Sequence, residues 1–455
     1  MENVIVRLLE LQINNLKNVK NGKIEFLNSN IKDSLKLKSG DILGIYGQNG
    51  SGKTTTIDAL GILKSILSEF PLNKELKNLI TFAEKETILF FKFYIEAGEK
   101  YIVEYRVVLS EGENKEIEIS NESIKYSVYN ENKWKKNQLL VEIPYNAEPI
   151  KPKKYFENIF NNDLLVKVLV AQGIAKKSKL SFLFSKENRK YLESCPELIN
   201  ILTALEYYGK MNLFIVSNEE MGMITLNLLL PLKIKRLNSC GSLPIKIEKN
   251  ETIKINEEFY PSVEETIEEI NIVLNKIIPE LQLKLEKQRR DIVDENEVNI
   301  IADLHSVRNG NPISFRYESE GIKRIVSILG VLIAVYHQPS VCLAVDELDS
   351  GIFEYLLGEI LEILSSEIKG QLIFTSHNLR ILEKISKDNI IFTTTNPENR
   401  YIKFKYAKPS NNLRDMYLRE MIVQEQNEEL YKETNQYDIK RAFYRAGVIN
   451  GKKTR

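Results

Sequence analysis

Eight consecutive residues, Gly47-Gln48-Asn49-Gly50-Ser51-Gly52-Lys53-Thr54, spell a complete G-x-x-x-x-G-K-[ST] phosphate loop, with a second threonine, Thr55, behind it. The glycines let backbone N–H groups turn inward around a β-phosphate. Lys53 supplies positive charge to the β/γ-phosphates, and the Thr54 hydroxyl is placed to ligate Mg²⁺. The flanks fit this reading. Residues 41–46 (Asp-Ile-Leu-Gly-Ile-Tyr) predict a short buried strand, and residues 53–70 a helix closed by Pro71. The phosphates would then meet a helix N-terminus, where unpaired N–H groups and the helix dipole favour anions. A chain with this segment is expected to bind a nucleoside triphosphate together with Mg²⁺.

Three later segments carry residues of matching chemistry. Residues 341–345 (Val-Cys-Leu-Ala-Val) are uniformly apolar, as in a strand covered on both faces, and Asp346 and Glu347 follow directly. A carboxylate pair at a strand end divides the work: Asp346 holds Mg²⁺, and Glu347 polarises the attacking water. Ser319, 27 residues before Asp346, opens a run with apolar residues at helical spacing from Ile322 to Tyr336. Taken alone, Ser319 reads equally well as a plain N-cap. Residues 371–376 form a further apolar strand ending in His377, 30 residues after Glu347.

In this order, the loop 47–54, Ser319 to Gly321, Asp346-Glu347-Leu348-Asp349 and His377 resemble the ABC-type ATPase superfamily, and within it the OLD/RecF-like soluble branch. The opening residues 11–19 (Leu-Gln-Ile-Asn-Asn-Leu-Lys-Asn-Val), similar to the first strand of RecF and SMC heads, belong to that resemblance, as do Asp346 to Gly351 and Thr375-Ser376-His377-Asn378. The resemblance implies an α/β P-loop head with a mixed central sheet and an antiparallel β lobe. It also implies that Ser319 and Gly321 contact the γ-phosphate held by another subunit, that His377 senses that phosphate, and that the protein works at least as a dimer through composite ATP sites. Two spellings depart from the pattern. The turn reads Ser319-Glu320-Gly321-Ile322 and not Ser-Gly-Gly-Gln, and Phe353 stands where soluble relatives often carry histidine. Gln172, on an expected helix, is the candidate noted for the Q-loop role.

Composition narrows the partners. Lys plus Arg and Asp plus Glu both number 63, so no general nucleic-acid signal exists. Local basic clusters occur at 151–154, 176–179, 284–290 and 451–455. The three scattered cysteines fit a reducing compartment better than a disulfide framework. The longest apolar stretch, 325–336, is too short for a hydrocarbon core of ~30 Å, and the N-terminus carries no export segment. A cytoplasmic protein without membrane contact is expected.

The head is expected over 1–185 and 296–406, an α+β insert over 186–295 and a helical C-terminal region over 407–455. Residues 155–215 read as mainly helical. The middle lacks the sustained heptads that would tether two distant halves. Some soluble heads of this kind carry a Toprim nuclease in the same chain. Here no D-x-D pair follows His377, and His305, His337 and His377 do not cluster in the sequence. Three functions follow from the resemblance: an ATPase that senses and scaffolds a separate effector, a nuclease for preference, in bacterial anti-phage defence; a RecF-like ATPase that binds DNA; and, less favoured, a transporter motor.

Overall fold

A computed structural model describes residues 4–29, 40–73, 76, 84–112, 116–146, 148–160, 162–226, 228–235, 240–246, 252–292, 298–404, 412–423, 428–432 and 434–451. The basic tail beyond 451 lies outside the described residues.

The chain begins with an antiparallel pair, β1 (Ile5–Leu16) and β2 (Val19–Glu25), then enters β3 (Asp41–Tyr46) and helix α1 (Lys53–Leu67). It next builds the rest of the first sheet from β4 (Glu86–Ala97), β5 (Glu99–Glu111), β6 (Ile117–Asn130), β7 (Lys133–Trp134) and β8 (Gln138–Pro144). The order is β2-β1-β4-β5-β6-β7, with β8 also on β6. Alternating apolar residues in β4 and β5 place Leu89, Phe91, Phe93, Val103, Tyr105 and Val107 on the covered face. This is the antiparallel lobe expected from the sequence.

Helices α2 (Asn162–Lys177) and α3 (Pro196–Tyr207) follow, then β9 (Leu213–Val216) and the short α4 (Asn218–Thr225). The next strands are the hairpin β10 (Leu229–Lys235) and β11 (Cys240–Lys246), then β12 (Ile253–Asn256). Helix α5 (Tyr260–Ile277) precedes β13 (Gln282–Ile292), β14 (Val298–Arg308) and β15 (Asn311–Ser314), which join β12 in a four-stranded sheet.

The final third holds α6 (Glu320–His337), β16 (Cys342–Val345), α7 (Glu354–Glu367), β17 (Gln371–Thr375), β18 (Ile390–Thr393), β19 (Tyr401–Ile402), α8 (Leu413–Val423) and α9 (Gln436–Gly451). Its strands complete the sheet that organises the molecule, in the order β19-β18-β3-β17-β16-β9. All of its pairings are parallel except β18 with β19.

Period-two alternation gives this sheet two apolar faces. Leu43, Ile45, Cys342, Ala344 and Ile373 share a core with α1 and the antiparallel lobe. Ile42, Leu343, Val345, Leu372 and Phe374 share the other with α5, α6 and α7. Coverage on both sides explains why these strands read as unbroken apolar runs.

The insert expected over 186–295 is interwoven with the head. Residues 213–215 close the stretch expected to be mainly helical, yet Leu213–Val216 is the edge strand of the central sheet, with Cys342 opposite Leu213 and Val345 opposite Val216. One buried polar cluster fixes the lobes to each other. Arg7 of β1 pairs with Asp41 of β3 at 2.5 Å, both buried, and the Gln371 carboxamide holds the backbone of Leu8 from both sides at 2.9 Å.

In the C-terminal region, α8 packs on the head through buried Leu413 and Tyr417, the Tyr417 ring stacking on Phe392 with centroids 5.0 Å apart. The described side chains of α9, residues 436–446, are all exposed. No helix among the described residues is long and apolar enough to cross a membrane.

Candidate functional site

Five parallel strands end on one edge of the central sheet, and the chemistry collects there, as open parallel sheets dictate. The phosphate loop leaves β3, Asp346 and Glu347 leave β16, Ser376 and His377 leave β17, and Ser217 and Asn218 leave β9. A cavity of about 500 Å³ opens among them, lined by Asn49, Gly50, Gly52 to Thr55, Asp346, Glu347, Thr375 and His377, with Lys17 and Asn18 from the β1–β2 turn. The loop is glycine-dependent at its close. Gly52 adopts φ 93° as the N-cap of α1, a left-handed conformation that a side chain would strain.

Lys53 is buried, and its ammonium donates to the carbonyls of Gly47 at 2.9 Å and Gln48 at 3.0 Å. Burial lowers its pKa, against the pull of Asp346, Glu347 and Asp349. Incoming phosphate oxygens would take over from those carbonyls as stronger, charged acceptors. The rest of the loop is braced from outside. Gln48 accepts at 2.8 Å from the backbone N–H of Lys432, Ser51 donates to Gln48 O at 2.7 Å, and Gly52 O accepts from Tyr401 Oη at 2.8 Å. Asn49 and Gly50 are exposed at the mouth, and Thr55 is buried beneath it.

Asp346 is buried at the strand end. Its Oδ1 accepts from Thr375 Oγ1 at 2.6 Å and from Thr54 Oγ1 at 3.3 Å. Its Oδ2 is buried and has no hydrogen-bond partner among the described residues. A solvent-stripped carboxylate oxygen left in this way fits a hard cation. Mg²⁺ is a cation of that kind: it takes one or two protein ligands and completes its shell with water and phosphate oxygens.

Glu347 sits at φ 50°, in the left-handed region. Such a conformation in a non-glycine residue costs free energy, and here the backbone is pinned by its N–H donating to Thr375 Oγ1 at 2.8 Å. The carboxylate Oε1 accepts from Asn218 Nδ2 at 3.5 Å. His377 lies at the open side, its backbone N–H donating to Asp349 at 3.3–3.4 Å. Partial burial, and then the Lys53 charge, hold its imidazole below the usual histidine value.

The structure thus brings Lys53, Thr54, Asp346, Glu347 and His377 to one cavity, but not Ser319 or Gly321. Ser319 is exposed and caps α6, its Oγ accepting from Ile322 N at 3.4 Å. Gly321 packs on the segment past Asp349 so closely that a Cβ would lie 2.1 Å from the Gly351 carbonyl oxygen, which explains a glycine there. Gln172 is buried in α2 and does not line the cavity.

Sequence reasoning gave no role to Thr375, the hub between Asp346 and Glu347, and did not single out Asn218. A lone Thr inside an apolar strand and an Asn after a stretch read as helix carry no local signal. The basic clusters are partly neutralised by their neighbours. Lys151 pairs with Glu148 at 3.2 Å, Lys176 with Glu118 at 3.0 Å, Lys179 with Glu116 at 2.7 Å and Arg290 with Glu257 at 2.5 Å.

The family described as "AAA ATPase domain" matches residues 7–382. Similar solved structures include an Smc head bound to the C-terminal winged-helix domain of ScpA, at 14% identity over 88% of this chain and 98% of that chain, with a TM-score of 0.45. Another is an Smc head domain with an extended coiled coil from Pyrococcus furiosus, bound to the C-terminal domain of ScpA, at 12% identity over 88% and 96% with a TM-score of 0.41. A third is the recombination mediator protein RecF, at 14% identity over 87% and 98% with a TM-score of 0.38. No curated protein matches the sequence.

Proposed function

This chain belongs to the AAA ATPase domain family, and from that premise we propose that it is an ABC-type ATPase of the OLD/RecF-like branch, assembled at least as a dimer, whose nucleotide state controls a separate effector, for preference a nuclease, in bacterial anti-phage defence. The observation that carries the catalytic part is the convergence of Lys53, Thr54, Asp346, Glu347 and His377 on one cavity.

ATP would enter with its phosphates against the 47–55 loop, where N–H groups at the start of α1 and the Lys53 ammonium meet the negative charge. Thr54 and Asp346 would hold Mg²⁺, which neutralises charge on the phosphate oxygens when bound. Glu347 accepts a hydrogen bond from the attacking water, orients it in line with the γ-phosphorus and draws off its proton. Lys53 offsets the charge that accumulates as the bond to the leaving oxygen breaks. Neutral His377 donates to the γ-phosphate from the open side.

The assembly part is supported by where Ser319 stands. It is exposed, outside its own cavity, and near exposed Tyr317, which is 68% accessible. Exposed aromatics of this kind suit a protein contact. In the effector part, α9 offers Tyr437, Phe443 and Tyr444 to solvent, more apolar surface than a solvated tail needs.

The test is subunit mixing. Lys53→Ala and Ser319→Arg should each abolish hydrolysis, the first by weakening nucleotide binding and the second by spoiling the site of a neighbour. Mixed after demonstrated subunit exchange, they should regain partial activity, because one of the composite sites is then wild type in both halves. No rescue would mean that the site is complete within one chain. Co-expression with the products of adjacent genes, followed by pull-down with and without ATP, tests the effector part. A stable complex insensitive to nucleotide would overturn it.

A further inference from the structure

We propose that α4 is a strut between the water-polarising carboxylate and the exposed turn that opens α6, with Asn218 as a positioning residue for Glu347 and Thr225 as its anchor. The proposal rests on the ATPase reading of the site.

Each end of α4 is tied to a different part of the machinery. At its start, directly after β9, Asn218 Nδ2 donates to Glu347 Oε1 at 3.5 Å. At its last residue, Thr225 Oγ1 donates to Glu320 Oε1 at 2.7 Å and accepts from Arg324 Nη2 at 3.2 Å. Glu320 and Arg324, one turn apart on α6, close the cluster with an ion pair of 2.7 Å. Glu320 is the residue between Ser319 and Gly321.

The helix between these ends is short and well held. Eight residues span about 12 Å at 1.5 Å per residue. Ser217 caps its N-terminus, accepting from Glu220 N at 3.4 Å. Met221 and Ile224 are buried beneath it, and Glu220 pairs at 2.7 Å with Lys233 of β10, itself buried. A helix fixed at its centre transmits displacement from one end to the other instead of bending.

The chemistry at the Glu347 end suits a base. The main chain of Glu347 is already fixed by Thr375, so the freedom left is that of the carboxylate. The Asn218 amide, reaching Oε1 from the end of β9, is the side chain placed to restrain it. The second subunit, on docking against the Ser319–Gly321 turn, moves Glu320 and Arg324. Thr225 follows, and Asn218 brings the carboxylate into line. Assembly and water activation are coupled through this contact.

The test combines steady-state ATPase assays with ATP binding measured by fluorescent-nucleotide titration on the full chain. Asn218→Ala should lower kcat about tenfold or more, as misplacement of a reacting group does, while ATP affinity stays at the wild-type value. Asn218→Gln, which keeps the amide, should recover part of the loss. Thr225→Val keeps the shape and removes all three contacts of the hydroxyl, the one to Met221 O at 3.2 Å within α4 included, and should also lower kcat, with Thr225→Ser restoring it. The double variant Asn218→Ala with Thr225→Val should be no slower than Asn218→Ala alone, because both cut one line. Additive losses would overturn the strut, as would wild-type kcat in Asn218→Ala when Glu347→Gln is inactive. Wild-type turnover in Glu347→Gln would instead overturn the ATPase reading beneath it.

Discussion

Thr375 hydrogen-bonds both acidic residues of the site at once: its hydroxyl donates to Asp346 Oδ1 at 2.6 Å and accepts the backbone N–H of Glu347 at 2.8 Å. One buried side chain on β17 therefore sets the metal-facing carboxylate and the backbone of the base on β16. Thr375→Val preserves volume and removes both bonds. It should cost about 1–3 kcal/mol of stability, the scale for buried polar groups left unpaired, seen as a lower midpoint in urea. Hydrolysis should fall further than this loss of folded protein explains. Unaltered turnover in Thr375→Val would show that Asp346 and Glu347 hold their places without it.

Glu347→Gln should still bind ATP but turn it over at least about 10²-fold more slowly, the contribution of a positioned general base. Nucleotide-bound assemblies should then accumulate, which sizing by light scattering with ATP would detect. Equal turnover in the variant and wild type would remove Glu347 from the role of base.

The pH response of His377 follows from its surroundings. Partial burial and the nearby Lys53 charge hold the imidazole below its ordinary 6.5, with Asp349, Glu347 and Asp346 opposing. The folded state thus binds this proton more weakly than the unfolded chain does. The stability it contributes is complete above about 6.5 and is lost as pH falls through that value toward the folded pKa. An NMR titration of the His377 ring should give a midpoint under 6.5. A midpoint at or above 6.5 would contradict the electrostatics described.

Much of this site could be read in the sequence because its determinants are local. The loop, the Asp346-Glu347 pair and His377 each sit where a short apolar strand stops, and such punctuation survives without knowledge of the fold. Leu213–Val216 shows the limit. Four apolar residues after a long helical stretch are ambiguous by periodicity alone. They are a strand because β16 pairs with them from 129 residues away along the chain. With that strand misread, Asn218 had no reason to be placed beside Glu347. Thr375, legible only as part of the segment before His377, had no assigned role for a related cause, since only the packing of β16 against β17 reveals what its hydroxyl meets.

The buried ion pair between Arg7 and Asp41 gives a stability test. Asp41 also accepts from Asn28 at 3.2 Å and from Gln371 at 3.0 Å, so its removal strands Arg7 between the lobes. Asp41→Ala should cost about 3–5 kcal/mol in denaturant unfolding, the scale for one partner removed from a buried pair. Arg7→Leu combined with Asp41→Leu should recover part of that. A neutral Asp41→Ala would mean that the lobes do not depend on this contact.

The C-terminal region divides where its burial divides. Truncation after residue 408 removes Tyr417 from its stack on Phe392 and should lower the melting temperature measurably. Truncation after residue 432 removes α9, whose described side chains are exposed, and should leave melting and basal hydrolysis at wild-type values. A large loss of stability from the shorter deletion would show that α9 packs on its own head in solution.

Between those two cuts lies the contact of Lys432 with Gln48. It ties the phosphate loop to the segment from which α9 departs, anchored again where Thr395 N–H donates to Glu429 O at 2.8 Å. A nucleotide on the loop and a protein on α9 would therefore be two ligands of one mechanical element. Thermodynamic reciprocity then applies: the factor by which ATP alters the affinity for whatever grips the tail equals the factor by which that grip alters the affinity for ATP. The same number is obtainable from either side, so a partner's influence can be measured on the nucleotide alone.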